Sequence, residues 1–274
     1  MRAVTKCFLI GTMLLVSPLE AQSPRAPKVE TAVDADHALF EQGIAAINEH
    51  RPAEAITAFE RVIDHFDTFR ATSKLQPFCA RTPEESLAIM LTAVTGGYGS
   101  KSSTSGAHNI VVDTSIVGTK AVSKDGNNGA VIVSPDWCAA VFFKGFALID
   151  LGRPAEAYPY FKRAVELAPN HAQYIAELAE FSKTKHDWPT ALSLFQQAVD
   201  AAQTFSPPDA KQFELGRAMR GVAFVLSEQG KLDEAEAEYR KCLELDPSDA
   251  KATSELAWIA QERIRTQLVP KQKF

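Results

Sequence analysis

Apolar positions recur at helical spacing through most of this chain, and from Asp136 to Pro247 they recur as paired helices with a step of 34 residues. Gly145 and Ala179 are one step apart, as are Ala157 and Ala191, Phe161 and Phe195, and Ala164 and Ala198. The same order returns as Ala223, Ala235, Tyr239, Cys242 and Pro247 after ten extra residues that include Ser206-Pro207-Pro208. Small residues at fixed places let two antiparallel helices approach closely while an aromatic side chain wedges between them. A looser copy covers Asp36 to about Phe66, with Gly43, Ala55 and Phe59 in the matching places. Its turn is His50-Arg51-Pro52; Pro154 and Pro189 mark the same turn further on. Proline in the first turn of a helix sacrifices no hydrogen bond. The pattern predicts an all-α chain with hairpins over 36–69, 136–169, 170–203 and 214–247. Leu256-Ala257 falls one step beyond Val222-Ala223, so 248–274 reads as a capping helix and tail. Polar Glu255, Gln261, Glu262 and Arg263 suit such a cap, because an exposed last face would aggregate.

The pattern lapses over 70–135. Thr82-Pro83-Glu84-Glu85 is a helix start, with carboxylates near the positive end of the helix dipole. It predicts a helix over 83–95, stopped by Gly96-Gly97. An arm follows over 96–135: a Gly/Ser/Thr-rich tract from Tyr98 to Gly106, then β-prone runs at Ile110–Val112, Ile116-Val117 and Ala130–Val133. The turn Lys124–Gly129 suggests a small hairpin. A loop of this length inside a compact domain is functional or disordered.

These spacings resemble the tetratricopeptide repeat (TPR), and the uninterrupted pair 136–203 carries the resemblance most specifically. The resemblance implies a helical-hairpin solenoid whose first helices line a concave groove that takes a peptide or a partner domain. Transferred residue by residue, the groove carries Phe40, Ile44 and Ile47 from the first unit and Phe142, Phe146 and Ile149 from the second. The third offers Ala176, Glu180 and Lys183, the fourth Arg217, Arg220 and Phe224, and the cap Trp258. An apolar strip beside two arginines suits a chain with a hydrophobic anchor and a carboxylate. Self-packing stands beside that reading: Phe142 and Phe146 lie four apart on one helix, and Arg217 and Arg220 can pair within the fold, for instance with Glu180. A third reading lays the arm itself in the groove. Related domains that grip acidic chaperone tails use Lys and Asn where this chain has Phe40, Ile44, Phe142 and Phe146, so that clamp is absent. Gln42 and Lys144 replace expected apolar residues, which puts normal packing between the first two units in question.

Composition narrows the classes. With 46% apolar and 23% charged residues over 274 positions the chain has an ordinary globular make-up. A net charge of −5, with no basic run, disfavours nucleic acid or an anionic membrane as partner. Residues 1–21 read as a signal peptide: Arg2 and Lys6, the apolar run Cys7–Val16, then Leu19-Glu20-Ala21 as a cleavage site. The run is too short for a stable membrane anchor, and 22–35 reads as a flexible leader. The mature protein is expected in the periplasm or secreted. In that setting Cys79 and Cys138, which flank the irregular segment, are candidates for a disulfide, though spacing leaves their geometry open. Cys242 takes the place of Ala164 and Ala198 and reads as a core thiol.

No catalytic, cofactor or metal constellation is legible. Gly96–Ser102 fails as a phosphate loop, since Ser100 rather than Gly precedes Lys101 and a helix comes before it. The six histidines are scattered without metal-ligand spacing, and no serine sits in a nucleophile elbow. The expectation is a non-catalytic scaffold or adaptor of the cell envelope. The alternative is an assembly subunit that binds through the 96–135 arm or the convex face, and an enzyme accessory domain ranks last.

Overall fold

Hairpins form where a small residue on one helix meets an aromatic ring on the next. The computed structural model describes residues 32–73, 75–94, 111–113, 120–122 and 129–268. The first hairpin pairs α1 (Ala32–Asn48) with α2 (Pro52–Thr72). A Cβ added at Gly43 would overlap the Phe59 ring, so only glycine allows this approach. After the insertion, α4 (Pro135–Asp150) pairs with α5 (Pro154–Leu167), α6 (Ala172–Thr184) with α7 (Trp188–Phe205), and α8 (Pro208–Glu228) with α9 (Leu232–Leu245); α10 (Ala250–Leu268) closes the series. At Gly145 a Cβ would stand 2.9 Å from the Phe161 ring. Each second helix also packs on the first helix of the next unit, which makes the chain a helical-hairpin solenoid.

The insertion leaves this stacking intact because its exit and return lie side by side. The chain leaves α2 through β1 (Gln76–Phe78) and re-enters α4 through β4 (Gly129–Ile132), parallel neighbours that pair Gln76 with Ala130 and Phe78 with Ile132. Between them lie α3 (Pro83–Val94), β2 (Val111–Asp113) and β3 (Lys120–Val122), giving a sheet in the order β1-β4-β3-β2. β2, β3 and β4 form an antiparallel meander. Phe78, Ile89 and Ala130 make its small core. As a result α2 packs on α4 as directly as if they were consecutive. The expected strand at Ile116-Val117, the tract Tyr98–Gly106, most of the turn Lys124–Gly129 and the signal segment lie outside the described residues. β1 and β3 fall where no strand was expected. The parallel pairing adds to the single hairpin foreseen.

Lys144 does not disturb the first two units. Its stem is buried, its Nζ donates to Glu60 Oε1 on α2 at 2.8 Å, and it stands 4.5 Å from the Tyr160 ring centroid. A long amphipathic side chain thus fills an apolar position while its charge finds a partner across the joint. A second tie is polar. The buried Asp36 carboxylate of α1 accepts from Trp137 Nε1 of α4 at 2.8 Å and lies 2.5 Å from His65 Nδ1 of α2. Cys79 and Cys138 are joined as a disulfide with Cα atoms 6.3 Å apart. Cys242 is buried between α9 and its neighbours, and burial pushes its thiol up to about 11.

The turn inside each hairpin uses one left-handed residue at the same place in every unit: His50, Gly152, His186 and Gly230, with φ of 56°, 72°, 56° and 73°. Nothing lies within 4 Å of a Cβ at Gly152 or Gly230, so a substitution there tests backbone strain alone. Gly152→Ala and Gly230→Ala should each lower stability by about 1 kcal/mol. His50→Gly should leave it unchanged or raise it by a few tenths, since relieved strain is partly offset by a more flexible unfolded chain, at roughly 0.5–1 kcal/mol. Urea titrations followed by circular dichroism check both.

Candidate protein-binding face

The first helices line the inner side of the solenoid. α1 touches α4 and α6 touches α8, whereas successive second helices make no comparable contact among the described residues. A stack that is closer on one side bends toward that side, so α1 with α4 and α6 with α8 face inward.

The expected groove residues divide into three groups. Phe40 and Phe142 belong to the core: Phe142 is fully buried, stacked on Tyr174 at 4.1 Å and edge-on to Phe146 and Phe161. Phe40 packs on Phe59 and Phe143. Ile44 and Phe146 are half-buried against the same cluster. The reason is local crowding, because four aromatic rings from α4 and α5 converge with Tyr174 and leave no open apolar strip. Ala176 is buried in the second apolar cluster, and Ile47 is half-buried in the first. Ile149 and Trp258 are exposed, at 38% and 42%.

The charged residues are spoken for. Arg217 pairs with Glu177 at 2.5 Å and Arg220 with Asp249 at 2.5 Å. Glu180 meets Lys183 at 2.5 Å, and Lys183 lies 4.6 Å from the Phe224 ring centroid. Burial pushes the Glu177 carboxyl up against the pull of Arg217. Taking either arginine away would strand a buried carboxylate, which costs about 3–5 kcal/mol. Arg217 holds the third unit to the fourth and Arg220 holds the fourth to the capping helix, so neither is a spare grip for a ligand carboxylate.

Two clefts interrupt this side. A cleft of about 220 Å³ lies between the starts of α4 and α6, under the insertion, with Ala80, Arg81, Ala139, Phe143, His171 and Gln173 among its walls. The larger, about 430 Å³, lies between α8, α9 and α10. It exists because the ten extra residues lengthen α7 to 18 and α8 to 21 residues, against 13 in α6, so that the start of α8 overhangs the last joint. Phe213 on this overhang is 61% exposed, and Leu245, Asp246, Lys251 and Asp209 complete the rim. Phe213 was not singled out from sequence; its one signal is a lone aromatic in the polar run Asp209–Glu214.

Models of the tetratricopeptide repeat match residues 138–171 and 222–249. The chain carries tetratricopeptide repeats. No curated protein matches it. Among solved structures, the first TPR domain of human RPAP3 is 21% identical, covering 49% of this chain and 98% of that one with a TM-score of 0.41. The N-terminal domain of stress-induced protein-1 from C. elegans is 16% identical over 46% of this chain and 95% of that one, with a TM-score of 0.39. MamA is 17% identical over 46% and 68%, also with a TM-score of 0.39.

In the two matched TPR units the first helices start differently. α4 is capped by Ser134, whose side chain accepts from Asp136 N, whereas α8 opens on Pro207-Pro208. Among the described residues no His/Cys/Asp/Glu group could hold a metal, and no helix is long and apolar enough to cross a membrane.

The rim of the larger cleft depends on Asp249. Its Oδ1 accepts from Lys251 N and Ala252 N at 3.0 Å each, capping α10, while Oδ2 accepts from Arg220. Burial alone would raise this carboxyl, but the Ala252 N–H and the Arg220 guanidinium outweigh it and hold it below the usual range. Asp249→Ala should therefore lower stability by about 2 kcal/mol at pH 7. A depressed folded-state pKa contributes stability above the unfolded value that is lost as pH falls through the folded one. In urea unfolding over a pH series, the gap between wild type and variant should narrow below 3.8.

Proposed function

We propose that the protein is a non-catalytic scaffold of the cell envelope that binds a peptide segment of a partner protein at the α8–α9–α10 cleft on its inner side. One observation carries this reading: an aromatic side chain, Phe213, stands mostly in solvent at the mouth of a 430 Å³ concavity, beside a lysine outside any ion pair the structure shows. Exposed aromatics at a concave site are the usual anchors of protein recognition. An apolar partner side chain would lie on Phe213 and Leu245, with a carboxylate reaching Lys251. TPR units elsewhere are interaction modules, and the neighbouring first TPR of Spaghetti (RPAP3) was solved with an HSP90 peptide. Export is supported by the 1–21 pattern and by the Cys79–Cys138 bond, since disulfides persist in oxidising compartments.

A second reading, binding through the insertion, is favoured by α3. Leu87 and Leu91, one turn apart, are 58% and 48% exposed while Ile89 and Met90 face inward. The two readings separate in one experiment. A displayed library of extended peptides is selected against the oxidised protein, and affinities are measured by titration calorimetry. Phe213→Ala with Lys251→Glu should weaken the selected peptides at least ten-fold, about 1.4 kcal/mol. Leu87→Ala with Leu91→Ala should leave them unchanged. The reverse result assigns binding to the insertion, and no selectable peptide with either face intact removes the inner-face reading.

A further inference from the structure

The buried apolar side chains fall into two bodies. One runs from Phe40 to Ala168 and Tyr174, the other from Ala172 to Ile259. They part where α5 meets α6, at the joint between the second and third hairpins. Crossing that joint is left to Tyr174 and to half-buried Val165, Leu178 and Phe181.

The insertion spans the same joint. Cys79 is bonded to Cys138 on α4, and its backbone N–H donates to the Leu167 carbonyl at the end of α5 at 2.8 Å. Two residues further on, Arg81 Nη1 donates to Glu214 Oε1 on α8 at 2.6 Å, beyond α6. Glu214 also accepts from Ser206 Oγ at the end of α7. The Glu85 carboxylate accepts the Arg81 backbone N–H at 2.7 Å, and the Glu85 backbone N–H donates to Thr82 Oγ1 at 3.1 Å, so that the α3 start locks the Arg81 backbone. Glu85 and Glu214 are both buried, and a buried carboxylate needs its cation. Three consecutive residues, which reach at most about 10 Å, are thus fastened covalently to the second unit and electrostatically to the fourth.

We propose that residues 79–85 are a tie-bar that fixes the angle between the two halves of the solenoid, and that reduction of the Cys79–Cys138 bond by a dithiol releases it. Both cysteines are buried, and the 220 Å³ cleft that they line is the route by which a small reductant would have to reach the bond. One thiolate of the dithiol attacks a sulfur of the bond and forms a mixed disulfide, expelling the other cysteine as a thiolate. The second thiolate of the reductant then closes its own disulfide. Cys79 and Cys138 leave as two thiols, having taken up two electrons and two protons from the dithiol. After that the strap is held to the second unit by hydrogen bonds alone, through Cys79 N–H and the β1–β4 pairing, and the thinly packed joint gains freedom to bend. The bearing of this bending on partner binding rests on the inner-face reading; the tie-bar itself does not.

Hydrogen exchange by mass spectrometry on the full chain tests it, comparing the oxidised protein, the same sample under dithiothreitol, Cys79→Ser/Cys138→Ser, and Arg81→Gln. Amides of 167–178 should exchange at least ten-fold faster in the last three than in the oxidised protein, with 232–245 unchanged, and dithiothreitol should add nothing to the cysteine variant. Equal protection of 167–178 in all four overturns the tie-bar. So does a uniform rise that includes 232–245, which would make the bond a general stabiliser. Reduction of the already folded protein supplies the answer where the cysteine variant fails to fold. Peptide affinity read in the same samples separates the two readings: no binding in any of them counts against the inner-face site, while exchange alone decides the tie-bar.

Discussion

The close approach of two helix backbones, with a glycine or alanine on one against a ring on the other, is the contact on which the rest of this structure depends. Gly43 against Phe59 and Gly145 against Phe161 each place a ring where a Cβ would have to be, and Gly221 against Phe195 does the same at the joint between the third hairpin and the fourth. Because these contacts are local in sequence, every hairpin is specified by about thirty residues of its own, and stacking then buries what one hairpin leaves exposed. This locality explains why a long insertion after the first unit is tolerated. α2 packs directly on α4 once β1 and β4 bring the two ends of the insertion together.

The same locality sets what the sequence could disclose. Helix pairs were legible because their period is written in small and aromatic residues, and the helix start at Thr82 was legible because capping is a matter of four neighbours. The lengthening of α7 and α8 showed only as extra residues, since a prolonged helix and a lengthened turn have the same count. Contacts across units were not legible. Arg217 and Arg220 looked available for a ligand because their partners, Glu177 and Asp249, lie 40 and 29 positions away in the chain. Phe142 sat where groove residues sit in related repeats, yet Tyr174 covers it, and no periodicity announces such a lid.

Burial and pairing divide the inner side into two chemistries. In the first two units aromatic rings close over one another, and in the third and fourth units ion pairs bridge helices. An aromatic cluster is held by area removed from water, which tolerates small shifts. A pair such as Arg217–Glu177 tolerates few, because a displaced partner leaves a buried charge behind. The α8 overhang joins neither regime. Its Phe213 is in no ring contact shown among the described residues and is more exposed than Ile149 or Trp258, the exposed residues at the expected groove positions.

The weak joint follows from the same division. On α4 the inward positions carry Phe142, Phe143 and Phe146, while on α6 the matching places carry Ala176, Glu177 and Glu180. Rings on one side meet small and charged groups on the other, so neither apolar burial nor ion pairing can seal α4 to α6 along its length, and Tyr174 fills only one end. A solenoid with such a mismatch needs a bond from outside the repeat to hold its curvature. The insertion returns to that place: its disulfide grips the aromatic half and its arginine grips the charged half, each end using the chemistry of the unit it touches.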